Sequence, residues 1–132
     1  MLTIESVHHV AITVSDIERS KRFYGEVLGL PEVPRPDFPF GGAWYEIDGR
    51  QVHLIVHDGT RTLRGTMAID VKDGHFALRV RSYAEALDYL RSRGVECVAL
   101  PQNKTEWAQI YVTDPDGNVI ELNADRKTIE RR

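Results

Sequence analysis

Three histidines and one glutamate occupy matched places in a duplicated pattern, and together they could bind a divalent metal ion. His9 and His75 each open a segment of alternating character, His9-Val10-Ala11-Ile12-Thr13-Val14 and His75-Phe76-Ala77-Leu78-Arg79-Val80. His53 lies four residues after Gly49, and Glu121 lies four residues after Gly117. Imidazoles and a carboxylate suit zinc, nickel, cobalt, manganese or iron, and four such ligands leave positions open for water or substrate. Three neutral imidazoles and one carboxylate leave a dication with net positive charge, which attracts an oxyanion.

Placing these residues requires two halves built on one plan. The alternating segments predict half-buried strands. Ser15 with Glu18, and Ser82 with Glu85, have capping-box spacing and predict helix starts. Ile17, Phe23, Val27 and Leu28 supply the apolar side of the first helix, Gly25 weakens it, and Gly29 ends it. Leu87 and Leu90 do the same for the second helix, with Gly94 as the stop. Hairpins follow in both halves. Residues 43–47 and 51–56 flank Asp48-Gly49, while residues 107–112 and 119–122 flank Asp114-Pro115-Asp116-Gly117. A weaker strand is expected near 30–35, shortened by Pro31, Pro34 and Pro36, and another near 95–100. The modules therefore span 5–57 and 72–123, joined by a polar and mobile connection over 58–71.

Strand alternation assigns faces. Val10, Ile12 and Val14 suit packing under a helix, which turns His9, Ala11 and Thr13 the other way. By the same rule His75, Ala77 and Arg79 share a face, as do His53, Ile55 and His57, and Glu121 with Asn123.

The bulk properties narrow the function classes. The chain has 132 residues and 42% hydrophobic content, enough for one domain with a real core and no disulfides. Cys97 is the single cysteine and is expected to be a small buried hydrophobe, so a reducing cytoplasm is the expected compartment. A net charge of -3 argues against nucleic acid as the main partner. No apolar run approaches the ~20 residues of a membrane span. The tail from Arg126-Lys127 to Arg131-Arg132 is expected to be a solvated end.

Two segments carry a resemblance to a known family. One is His9-Val10-Ala11-Ile12-Thr13-Val14-Ser15-Asp16 with Phe23-Tyr24 and Leu28-Gly29-Leu30, and the other is Asp114-Pro115-Asp116-Gly117-Asn118-Val119-Ile120-Glu121-Leu122. In this order and at these separations the chain resembles the vicinal oxygen chelate superfamily, the glyoxalase, bleomycin-resistance and extradiol dioxygenase group. The resemblance implies an α+β fold of two βαβββ modules whose mixed sheets curl into a metal-binding cup. It also implies ligands from the first and last strands of each module, here His9, His53, His75 and Glu121.

The implied activity is that of a metal-dependent lyase or isomerase. A small substrate would chelate the ion through two oxygens and lose a proton to give an enediolate or enolate, with Glu121 as general base. Thr13, His57, Arg79, Trp44, Trp107 and Asn123 complete the candidate substrate-facing set, the two tryptophans as cavity walls. His57 reads equally as support for a ligand, as a substrate contact or as a solvent-facing strand end. Glutathione-dependent relatives carry arginine where this chain has Thr13, and an asparagine near His57, which argues against lactoylglutathione lyase activity. Arg79 offers a cation instead. The alternatives are an extradiol-type dioxygenase using His9, His75 and Glu121, a thiol transferase of the fosfomycin-resistance type, and a non-enzymatic drug-binding protein. A homodimer is expected, because exposed sheet edges need covering.

Overall fold

The computed structural model describes residues 1–131 and divides the chain into two compact units, Met1–Leu63 and Arg64–Arg132. Each unit follows the expected βαβββ plan and holds its own four-stranded mixed sheet.

In the first unit, strand β1 (His9–Val14) leads into helix α1 (Ile17–Lys21), which continues as a π-helical stretch over Arg22–Val27. Strands β2 (Glu32–Val33), β3 (Gly42–Ile47) and β4 (Arg50–Val56) complete the sheet in the order β1-β4-β3-β2. β1 runs parallel to β4, and β3 and β4 form the hairpin around Asp48 and Gly49. Both turn residues have positive φ, 52° and 74°, as a tight Asp-Gly hairpin requires.

Three expectations need correction here. The helix cap is Asp16, whose side chain accepts the Arg19 N–H at 3.0 Å. Ser15 instead accepts from the Arg19 guanidinium at 2.9 Å. The later turns widen to π geometry, with the Leu28 N–H reaching the Phe23 carbonyl at 2.8 Å. A widened turn lets the adjacent Phe23 and Tyr24 both bury, so Tyr24 joins an apolar side from which the 3.6-residue period omitted it. The strand expected over 30–35 shrinks to two residues between Pro31 and Pro34, neither of which has an N–H to donate. Val14, Tyr24, Ala43, Tyr45 and Leu54 form the buried core beneath the helix.

The second unit repeats the order with strand β5 (His75–Arg79), helix α2 (Tyr83–Ser92), and strands β6 (Val98–Leu100), β7 (Trp107–Thr113) and β8 (Val119–Asp125). Its sheet order is β5-β8-β7-β6, with β5 parallel to β8. Here the capping serine is the expected one, since Ser82 Oγ accepts the Glu85 N–H at 3.2 Å. Leu90 is buried with Tyr83 and Ala84, and Ala108, Ile110, Val112, Ile120 and Ala124 supply the sheet side of the core. The strand expected over 95–100 begins only at Val98. Cys97 is half-buried, and burial pushes its thiol pKa up, so it lacks the activation a reactive thiol needs.

The tail is only partly a solvated end, with Lys127, Glu130 and Arg131 exposed. Residues Arg126–Thr128 form a 3-10 turn, and Thr128 is buried with its Oγ1 accepting the Tyr83 N–H at 3.0 Å. Ser82 Oγ donates to the Arg131 carbonyl, so the tail satisfies groups at the start of α2. Arg132 lies outside the described residues. The connection between modules is also partly built in. Arg64 pairs with Asp73 at 2.6 Å and donates to the carbonyls of Gly117 and Ala68. No helix among the described residues is long and apolar enough to cross a membrane.

Gly117 joins these features. It has φ 86°, and a Cβ there would strike the Thr66 carbonyl oxygen. Gly117→Ala should therefore destabilise the chain by about 2 kcal/mol or more, through the left-handed backbone and the clash together. Gly74 has open space around it, and Gly74→Ala should stay within about 0.5 kcal/mol of wild type. Urea unfolding of the two variants checks the contrast.

Candidate functional site

The four candidate ligands occur as two pairs, one in each unit. In the first unit the parallel register sets Ala11 opposite His53 and His9 opposite Gln51. The short Ala11 side chain leaves room for the His9 ring to lean over His53, and the two rings stack with centroids 4.2 Å apart. The β3–β4 hairpin sets Trp44 opposite His53, and the indole covers the other ring face at 4.0 Å and 6°. His53 is thus sandwiched and buried, with 8% of its surface exposed.

Hydrogen bonds fix the plane of that ring. His53 Nε2 lies 2.7 Å from Gln51 Oε1, and Gln51 Nε2 donates to Glu46 Oε1 at 3.2 Å. Burial lowers the pKa of His53, and the neighbouring His9 and His8 lower it further. A neutral imidazole keeps one lone pair for a metal ion. His9 is exposed, and its Nδ1 meets Nδ1 of His8 at 2.9 Å.

The other first-unit candidates lie apart from this stack. Thr13 shares the face of His9 and contacts the Thr62 hydroxyl at 3.3 Å. His57 is exposed and helps line a cavity of about 430 Å³ with Pro39, Phe40, Val56 and Asp58. Sequence reasoning missed Arg35. Its guanidinium lies 5.2 Å and 5.5 Å from the ring centres of Phe38 and Phe40, and it donates to the Phe40 carbonyl at 2.8 Å. It also lies over Gly42, where a Cβ would strike the Leu54 carbonyl oxygen and come within 3.2 Å of the guanidinium.

In the second unit Ala77 stands opposite Glu121, and His75 comes two residues earlier, which is the arrangement of Ala11, His53 and His9. His75 Nδ1 lies 2.8 Å from the Asp73 carbonyl. A carbonyl only accepts, so Nδ1 carries the hydrogen and Nε2 of a neutral ring carries the lone pair. That Nε2 lies 3.4 Å from Glu121 Oε1. Two lone pairs facing each other at this distance need a positive species between them, either a proton or a metal ion, so the donor set fits a divalent cation.

Glu121 is held firmly for a buried carboxylate, being 5% exposed. Asn123 Nδ2 donates to Oε2 at 2.7 Å. Tyr111 Oη and Gln109 Nε2 reach Oε1 at 2.9 Å and 3.2 Å. Burial alone would raise the glutamate pKa, but the bonds from Asn123 and Tyr111 and the His75 ring outweigh it and hold it below the usual range. Burial and the Glu121 charge push the Tyr111 phenol up to about 12, so it stays protonated and keeps donating. Tyr111 and Gln109 were not among the sequence candidates, although hairpin arithmetic around the 114–117 turn aligns them with Glu121 and Asn123. Arg79 lies opposite Asn123 and is exposed. Trp107 lies opposite Asp125, and its indole N–H is buried without a partner. Among the described residues, no group of three or more metal-ligating side chains gathers as a metal site within either unit.

The comparisons agree with the architecture. The sequence profile of the Glyoxalase/Bleomycin resistance protein/Dioxygenase superfamily matches residues 6–122. The chain is 29% identical over 124 residues to Glyoxylase I 4 of Arabidopsis thaliana, covering 92% of this chain and 71% of that protein. It is 28% identical over 120 residues to the glutathione transferase FosA of Serratia marcescens, covering 91% and 81%. A crystal structure of a Bacillus anthracis protein assigned to the glyoxalase family superposes with TM-score 0.79 at 26% identity, covering 95% of this chain and 98% of the other. This chain belongs to the glyoxalase, bleomycin-resistance and dioxygenase superfamily, and its fold is glyoxalase-like.

Removing the phenol next to Glu121 has a pH-dependent consequence. A hydrogen bond to a charged group contributes about 1.5–3 kcal/mol, so Tyr111→Phe should lose about that much stability at pH 7 in metal-free protein. Because the folded-state pKa of Glu121 is depressed, its stabilisation is present above the unfolded pKa of about 4.3 and is lost as pH falls through the folded value. The gap between wild type and Tyr111→Phe should therefore narrow on acidification below about pH 4. Urea curves at several pH values check this, and a constant gap contradicts it.

Proposed function

We propose that this chain is a divalent-metal-dependent lyase or isomerase acting on a small substrate with two neighbouring oxygens. The observation that supports the reading is the pairing of His75 Nε2 with Glu121 Oε1 at 3.4 Å, two donor atoms that a proton joins in the free protein and a divalent cation could join in its place. His9 and His53 are the remaining ligands, and the neutral state favoured for His53 suits it to that role. The bound ion would supply Lewis-acid polarisation of the two oxygens and so acidify the carbon beside them.

The chain's own residues supply the rest. Glu121 is the proton acceptor. Its lowered pKa keeps it ionised near neutrality, and the donors Asn123, Tyr111 and Gln109 keep its oxygens in place. So weak a base can deprotonate only a strongly acidified carbon, which is why the reading requires an electrophile as well as a base. Arg35 and Arg79 are cations available for an acidic substrate group. A second reading, thiol addition to an epoxide, draws on the similarity to the glutathione transferase FosA. Assays with a hemithioacetal, and with fosfomycin plus a thiol, separate the two.

Protein purified without chelators or a histidine tag should carry about one first-row divalent ion per chain by elemental analysis. His75→Ala and Glu121→Gln should each lose most of it, and equal metal content in all three proteins would defeat the reading. Isomerisation of the methylglyoxal–glutathione hemithioacetal should be weak, because Thr13 replaces the carboxylate-gripping arginine. A kcat/KM in the range of ~10⁴–10⁸ M⁻¹s⁻¹ expected of an enzyme with its own substrate would refute that.

We further propose a homodimer. β1 and β5 are edge strands of their sheets, and Leu2, Ile4 and Val7 are exposed ahead of β1. Mixing His9→Ala chains with Glu121→Gln chains should restore partial metal binding if ligands are shared between copies. It should restore none if each chain supplies a full set.

A further inference from the structure

Gln51 and Glu46 have no place in the proposed chemistry, yet they form a directed chain that ends on a candidate ligand. Glu46 is a carboxylate and can only accept at neutral pH, so the group it bonds at 3.2 Å is the amide NH₂ of Gln51. That contact turns the amide oxygen toward His53, where it lies 2.7 Å from Nε2. An amide oxygen also only accepts, so Nε2 carries the hydrogen. The neutral imidazole then has its lone pair on Nδ1. The ring cannot turn over easily, because His9 covers one face at 4.2 Å and Trp44 covers the other at 4.0 Å. Ligation can come only from the edge of the ring, and Gln51 occupies one nitrogen of that edge.

We infer that the Glu46–Gln51 relay positions His53 as the Nε2–H tautomer and so assigns Nδ1 as the nitrogen that binds a metal ion. The inference rests on the metal-binding reading above. His75 presents the opposite nitrogen, because the Asp73 carbonyl takes its Nδ1 hydrogen and leaves Nε2 toward Glu121. The two units therefore offer imidazoles through different ring atoms, each with its second nitrogen donating to an oxygen behind it, the usual support for a ligating histidine. Gln51 and Glu46 are positioning residues. They lie opposite each other on β4 and β3, so the Gln51 side chain links the strand that carries His53 to the strand that carries Trp44.

The test is long-range ¹H–¹⁵N correlation NMR on histidine-labelled full chain, first metal-free and then titrated with Zn²⁺. His53 should show a protonated Nε2 and a bare Nδ1. Zinc should shift Nδ1 and leave the Nε2 proton in place. Gln51→Leu should mix the tautomers and weaken zinc binding about 10–100-fold by calorimetry, the range seen when such supporting groups are removed. Glu46→Gln frees the amide to turn and should mix the tautomers without opening the stack, so it serves if Gln51→Leu fails to fold. A hydrogen on Nδ1 of His53 in wild type overturns the inference, as does zinc that displaces the Nε2 proton. Zinc that shifts His75 but not His53 also overturns it and leaves the metal reading standing. Absence of any zinc binding, with the Nε2–H tautomer intact, instead defeats the metal reading and with it the ligand role of Nδ1.

Discussion

The parallel pairing of the first and last strands of each unit is the constraint on which the candidate site depends. Parallel neighbours place small residues opposite the last-strand ligands, Ala11 opposite His53 and Ala77 opposite Glu121. In both cases a histidine two residues earlier shares the face and reaches across the space the alanine leaves. A one-residue slip in either register would turn the histidine to the helix side and fill the gap with a larger side chain. The helices enforce the register indirectly. Val14, Leu54 and Tyr45 in one unit, and Ile120, Ile110 and Leu90 in the other, bury the opposite faces and leave little freedom to slide.

On this shared scaffold the two units do different electrostatic work. The first offers aromatic surface, in which Trp44, His53 and His9 stack. The second surrounds one carboxylate with neutral donors, so that Glu121 keeps its charge in spite of burial. A buried carboxylate without such donors would become protonated and lose its value as a ligand.

Family membership fixes the fold more tightly than the substrate. Members of one architecture differ in the groups arranged around a common face. Here those groups include Thr13 on β1 and Arg35, which lies beside the stacked rings of Phe38 and Phe40 and over Gly42. A guanidinium that rests on two phenyl rings and bonds a carbonyl has fewer rotamers open to it than a free surface arginine.

The duplication, both hairpins, the α2 cap and the matched positions of the four candidate ligands were legible in the sequence. Alternation and turn chemistry are local properties, and a repeat makes each half a check on the other. The α1 cap was misread by one residue, because Ser15 and Asp16 are both good caps and only the path of the chain out of β1 decides between them. The π-helical turns and the loss of most of the 30–35 strand depend on how Tyr24 and the prolines pack. The tail was misread in part because charge counted as exposure, whereas Thr128 is buried and half-buried Arg126 bonds Asn103. Tyr111 and Gln109 could have been found by counting outward from the turn at 114–117. The Glu46–Gln51–His53 chain could not, because hydrogen-bond direction and ring stacking exist only once three strands lie side by side. The sequence by itself determined which residues are candidates, because matched positions in a repeat are a local property. The tertiary structure decided which atom of each is presented, since a lone pair is aimed by partners that are distant in sequence.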